Sequence, residues 1–181
     1  MKRYYKNEQE FREIHHKLKI SQCPYCRLFG TLILHGFLYG YSELGEPDNF
    51  RGHRVFCTNR RKTKTGCGKS FSVILASVIK GFIISTGSLW QFLDHIANGM
   101  NKLNAFQTLN LPYSTSSVYR LYKRIFESQS KIRSILSKSG SLPTKIETKN
   151  PLIQTIFHLK TVFKQACPLT AFQYEFQTSI L

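Results

Sequence analysis

Acidic residues are scarce in this chain. Ten Asp and Glu stand against 26 Lys and Arg in 181 residues, a formal net charge of +16. Asp48 and Asp94 are the only aspartates. A nuclease centre built on several metal-bound carboxylates is hard to assemble from so few acids. A charge of this size does not suit a protein that handles small neutral metabolites. It favours a polyanionic partner, nucleic acid first and an anionic membrane surface second. An apolar leader is missing as well: the opening MKRYYKNEQEFREIHHKLKI has no hydrophobic stretch of the kind export needs. The longest apolar region, FSVILASVIKGFIISTGSLWQFL over 71–93, is interrupted by Lys80, Gly81 and Gly87. It reads as a buried strand end followed by a core helix rather than a membrane span. No internal repeat or low-complexity tract occurs. Nothing assembles a nucleophile, a base and oxyanion donors, so the expectation is a non-enzymatic protein. Gly68-Lys69-Ser70 imitates the end of a phosphate-binding loop, but Thr63 stands where its first glycine belongs and a strand pattern follows.

What is present is enough for a packed core: 41% of the residues are hydrophobic and 13% aromatic. The length fits one domain or two very small ones. Basic charge gathers in two blocks. Residues 51–70 carry seven basic and no acidic side chains, and residues 101–140 are also strongly positive. Residues 1–20 suggest an N-terminal arm or short amphipathic helix. TLILHGFLYGYSE, RGHRVFC and KSFSVIL predict three strands within 21–80, with GEPDN as a loop. From Ser88, taken as an N-cap, the period becomes helical, with Leu89, Phe92, Leu93 and Ile96 on one face. A short helix over 102–109, a turn at Asn110–Tyr113 and a longer helix from Ser114 or Thr115 follow within 81–140. Residues 141–181 suggest C-terminal packing helices and a homodimer surface.

Five cysteines without a leader indicate a reducing compartment, where metal binding is commoner than disulfides. Cys23-Pro24-Tyr25-Cys26 is a C-x2-C knuckle that turns two thiolates to one side. Cys57 and Cys67, the latter followed by Gly68, supply a second pair. Together they predict one structural Zn2+ held by Cys23, Cys26, Cys57 and Cys67 in a small zinc ribbon. The second pair has C-x9-C spacing, and TNRRKTKTG is taken as a loop that leaves the metal between Cys57 and Cys67. His53 and His35 compete for the fourth position. Cys167 reads as a core thiol.

Inside that insert Arg60, Arg61, Lys62 and Lys64 form a tethered basic loop suited to gripping phosphates. Residues 102–127 have the proportions of a helix-turn-helix. In its second helix Val118, Leu121, Tyr122 and Ile125 face inward, which leaves Ser116, Ser117, Arg120, Lys123 and Arg124 for the major groove of duplex DNA.

The combination of CPYC, VFCTNRRKTKTGCGKSFSV and STSSVYRLYKR resembles the N-terminal zinc-ribbon and helix-turn-helix module of bacterial insertion-sequence transposases over roughly residues 20–127. The resemblance implies DNA binding, metal ligation by the four cysteines and a DNA-facing helix at 114–126. The three-carboxylate catalytic domain of such transposases has no counterpart: the 54 residues after Glu127 hold only two acids, Glu147 and Glu175. The overall expectation is an α+β chain, a three-stranded zinc ribbon followed by an α-helical helix-turn-helix bundle. Its expected role is a non-catalytic DNA-binding protein in the cytoplasm, associated with the nucleoid. The alternative is an RNA- or ribosome-associated ribbon whose Tyr39, Tyr41, Phe50 and Phe56 stack bases.

Overall fold

The fold is described from a computed structural model covering residues 1–59, 65–139, 148–164 and 167–181. The expected sheet is present but has four strands, not three, in the order β1-β4-β3-β2. Strands β2 (Leu32–Gly40), β3 (Asn49–Cys57) and β4 (Ser70–Leu75) form an antiparallel meander. The additional strand, β1, is Tyr4–Tyr5, which pairs parallel to β4 with Tyr4 opposite Ile74. Two residues are too few for an alternating pattern, so the basic composition of the arm concealed the strand. Tyr4 and Tyr5 are both buried.

Helix α1 (Glu8–His16) begins at Asn7, whose side chain accepts from the Glu10 amide. Glu8 and Glu10 lie in its first turn and His15 and His16 in its last, the favourable arrangement for the helix dipole. Its Phe11 and Ile14 pack with Tyr5, Leu18, Leu32, Val55, Phe71 and Val73 into the core of the sheet half.

The second half is helical: α2 (Thr86–Ala97), α3 (Lys102–Gln107), α4 (Thr115–Leu136), α5 (Pro151–Val162) and α6 (Pro168–Phe176). The break at 76–85 confirms a strand followed by a separate core helix. Helix α2 starts one turn earlier than expected, because the Ser85 hydroxyl rather than Ser88 accepts the first free amide, that of Ser88. Helix α4 continues ten residues beyond the 114–126 segment expected to face DNA, and Ile132 and Leu136 extend its buried stripe. The apolar faces of α5 and α6 lie within the chain's own core, where Leu152, Ile156, Leu159, Leu169 and Phe172 are buried. Cys167 is half-buried at the start of α6.

Several polar connections join the halves, three of them on α6 and the β2–β3 loop. The Gln173 amide of α6 donates to the carbonyls of Ala76 (2.8 Å) and Val78 (3.0 Å). The Gln177 side chain accepts from the Tyr4 amide at 2.8 Å. On the opposite side, Glu43 from the β2–β3 loop accepts from the Ser85 amide and the Ser88 hydroxyl, capping α2. No described helix is long and apolar enough to cross a membrane.

Candidate metal centre and basic helix

The CPYC knuckle folds as the spacing requires. The Arg27 amide donates to the Cys23 carbonyl and the Cys23 amide to the Leu28 carbonyl, both at 3.0 Å. Arg27 takes the left-handed conformation that closes the turn. The second pair stands at the loop end of the β3–β4 hairpin. There the Cys57 amide donates to the Lys69 carbonyl and the Gly68 amide returns to the Cys57 carbonyl. Gly68 has φ +69°, a conformation glycine adopts without steric cost. The Gly66 amide donates to the Thr58 carbonyl at 2.8 Å, so the chain leaves after Thr58 and returns at Gly66. The unusual C-x9-C spacing is thus an insertion closed at its neck by the hairpin. A Cβ at Gly66 would overlap the Cys57 sulfur and the Thr58 carbonyl.

All four sulfurs lie within 4.8 Å of one another. Cys23 Sγ is 3.8 Å from Cys67 Sγ, and Cys26 Sγ is 3.7 Å from Cys57 Sγ. A tetrahedral ion with metal–sulfur bonds of about 2.3 Å needs sulfurs about 3.8 Å apart. The donor set therefore fits one tetrahedral metal ion, and it is closed, with no position left for substrate. Amides of Tyr25 and Cys67 point at Cys23 Sγ and Cys57 Sγ, each at 3.4 Å, where they stabilise thiolate charge. The Leu28 amide is the main influence that lowers the Cys26 thiol to about 7. Burial pushes the Cys57 thiol up to about 11 in the metal-free site, a proton that a cation would displace.

The histidine alternatives fall away. His53 is buried and stacks face to face on Phe11 with ring centroids 3.3 Å apart, and Glu8 lies 3.6 Å from its Nε2. Burial lowers its pKa. His35 is exposed beside Phe56. The four cysteines alone form the metal-binding group among the described residues.

The predicted nucleic-acid contacts divide. Arg60, Arg61, Lys62 and Lys64 lie outside the described residues. On α4 the inward stripe is as expected, with Val118, Leu121 and Ile125 buried and Tyr122 half-buried. Arg120, Lys123, Arg124 and Ser116 are exposed, and Ser117 is half-buried. The Ser114 hydroxyl lies 2.9 Å from that of Ser116 and 3.1 Å from that of Ser117. At about 100° per residue these side chains form two rows. Ser116 and Lys123 share an outer row with Tyr119, while Ser117, Arg120 and Arg124 flank a cavity. Glu127 is the one acid on this helix and lies 4.0 Å from Lys123.

Two features escaped the sequence reading. One is that cavity, of about 380 Å³, between α4, Phe106 of α3 and the 81–84 segment. The other is Phe37, 59% exposed beside Tyr39, 57% exposed, on the outer sheet strand. Tyr39 and Phe50 are 5.9 Å apart edge to face. Alternation along β2 would have grouped Phe37 with Tyr39 and Tyr41; Phe56 is half-buried beside His35, apart from this strip. No family model, curated protein or solved structure matches the chain.

Proposed function

We propose that the chain is a zinc-stabilised, non-catalytic protein that binds duplex DNA. The observation that carries the reading is the charge on α4. Its apolar stripe is covered within the chain, while Arg120, Lys123 and Arg124 stand exposed with a single acid beside them. Helix α3, the 108–114 turn and α4 have helix-turn-helix proportions, which supports insertion of the first turns of α4 into the major groove. In this reading Ser116 and Ser117 hydrogen-bond to phosphate or base edges. Arg120 reads a base edge, and Lys123 and Arg124 bind phosphates. Arg60, Arg61, Lys62 and Lys64, strung between two metal ligands, add phosphate contacts from the ribbon. The likeness to the DNA-binding module of insertion-sequence transposases supports the same assignment.

The soft, closed thiolate set favours zinc, with a purely structural role. In this reading it organises the sheet half, whose two hairpin cysteines flank the basic insertion in sequence.

Replacing Arg120, Lys123 and Arg124 together by Ala tests the proposal. The variant should fold as before, and its slope of log affinity against log salt should shrink by about one per lost phosphate contact. Unchanged duplex binding by the folded variant would refute it.

The exposed Phe37–Tyr39 strip favours a second reading, stacking of unpaired RNA bases on the sheet. Full-length protein carrying Phe37→Ala and Tyr39→Ala separates the two: loss of single-stranded RNA binding with duplex binding intact would support it.

A further inference from the structure

The cavity beside α4 has a preformed wall. The 79–84 segment is closed at its base by the bridge between Val78 and Ser85. The Arg51 guanidinium, from β3, clamps it by donating to the carbonyls of Ile79 (3.0 Å) and Phe82. This wall contributes Phe82, Ile83 and Ile84, and Phe106 and Leu121 complete the apolar lining. The polar groups are few: Arg120, Arg124, Ser117 and Tyr113. Among the described residues no acid lines the cavity, and Glu43 acts on Tyr113 only through its charge. The Tyr113 hydroxyl is shielded from solvent and has no hydrogen-bond partner among the described residues. Burial raises its pKa, which keeps it a donor.

We propose that this cavity binds a small aryl carboxylate, with its ring among Phe82, Ile84, Phe106 and Leu121 and its carboxylate on Arg120 and Arg124. The volume of 380 Å³ lies in the range of small-molecule sites. Two guanidiniums without a lining acid match one or two carboxylate oxygens, and charge-assisted bonds of this kind are the strong ones. A nucleobase fits less well, because most of its edge donors and acceptors would meet apolar side chains and lose their water. The site does not require the DNA reading. If both hold, ligand and duplex compete for Arg120 and Arg124, and the coupling is reciprocal.

The test uses the full-length, metal-loaded chain and 1-naphthoate as probe. Calorimetry should give one naphthoate per chain, with neutral 1-naphthamide at least about tenfold weaker. Amide shifts on binding should fall on 81–84, Tyr113 and 117–124. Arg120→Gln with Arg124→Gln should weaken naphthoate by about tenfold or more while leaving the weak naphthamide binding unchanged. Ser117→Trp, which fills the cavity from the helix surface, should abolish binding of both. Non-saturable binding, equal affinity for the amide, or shifts confined to the Phe37–Tyr39 strip would overturn the proposal. Tighter binding of thymidine monophosphate than of naphthoate would overturn the choice of ligand class. A duplex titration with naphthoate present addresses the second point separately: naphthoate bound without any loss of duplex affinity leaves the cavity assignment standing and removes α4 as the DNA-facing helix.

Discussion

The two halves of the molecule hold themselves together by different means. The helical half buries Leu89, Phe92, Leu136, Leu152, Ile156, Leu159, Leu169 and Phe172 in one continuous core. The sheet half has a much smaller core and places two of its buried positions, Cys23 and Cys57, at the metal-binding cluster. Its turns at 23–28 and 57–68 are irregular backbone organised around four sulfurs. A small sheet of this kind buries little apolar surface, and in the proposed reading a metal at the four cysteines and the packing of α1 supply the rest of its stability. One chain thus combines a core built from apolar side chains alone with a core whose edge is a cluster of four cysteines able to hold an ion.

The largest effect should come from Cys57→Ser. Structural zinc sites supply about 10–16 kcal/mol, comparable to the total stability of a domain. The variant should lose dispersed amide resonances from β2–β4 while far-UV helical signal persists. Simultaneous loss of both halves would show that they fold as one unit. Next is Phe172→Ala in the helical core, expected to cost about 3–5 kcal/mol. Denaturant unfolding should show the loss in the helical transition, with metal content unchanged. Third is Gln173→Ala, which strips a donor from the Ala76 and Val78 carbonyls at the junction. It should cost about 1–3 kcal/mol and move the sheet and helical unfolding transitions further apart, whereas an unchanged separation would show that this contact does not couple them.

The smallest effect concerns pH. His53 has a folded pKa below its unfolded value because burial opposes its charge. The unfolded chain therefore binds more protons in that window. Stability from this group is complete above about pH 6.5 and is lost as pH falls from there through the folded value. His53→Phe should flatten the acid limb of sheet-half unfolding relative to the unmodified protein. An identical acid limb would assign the whole slope to other groups.

Much of this contrast is legible in the residues. The strands β2, β3 and β4 announce themselves by β-rich runs bounded by Gly, Pro and Asn. The four sulfurs follow from the CPYC knuckle and the Cys67-Gly68 step. The stripe Val118, Leu121, Ile125 foretells which side of α4 is buried. Other features depend on partners distant in sequence. Tyr4–Tyr5 becomes a strand only because the edge of β4 is free to pair with it. Glu43 caps a helix that begins more than forty residues later. The wall of the cavity beside Arg120 is the 79–84 segment, whose carbonyls are bonded by Arg51 from a strand almost thirty residues earlier, an arrangement no local period encodes. His53 looked like a ligand by type and proximity in sequence, yet strand geometry turns it onto Phe11.

The central claim is a metal-organised protein that grips duplex DNA through its basic surfaces. Its most direct test is a titration of the zinc-loaded chain onto a fluorescent random duplex at about 50 and about 200 mM salt. With six to ten phosphate contacts the affinity should fall by about 10³ to 10⁵ between the two conditions. An affinity that is the same at both salts, or no duplex binding at the lower one, would contradict the account.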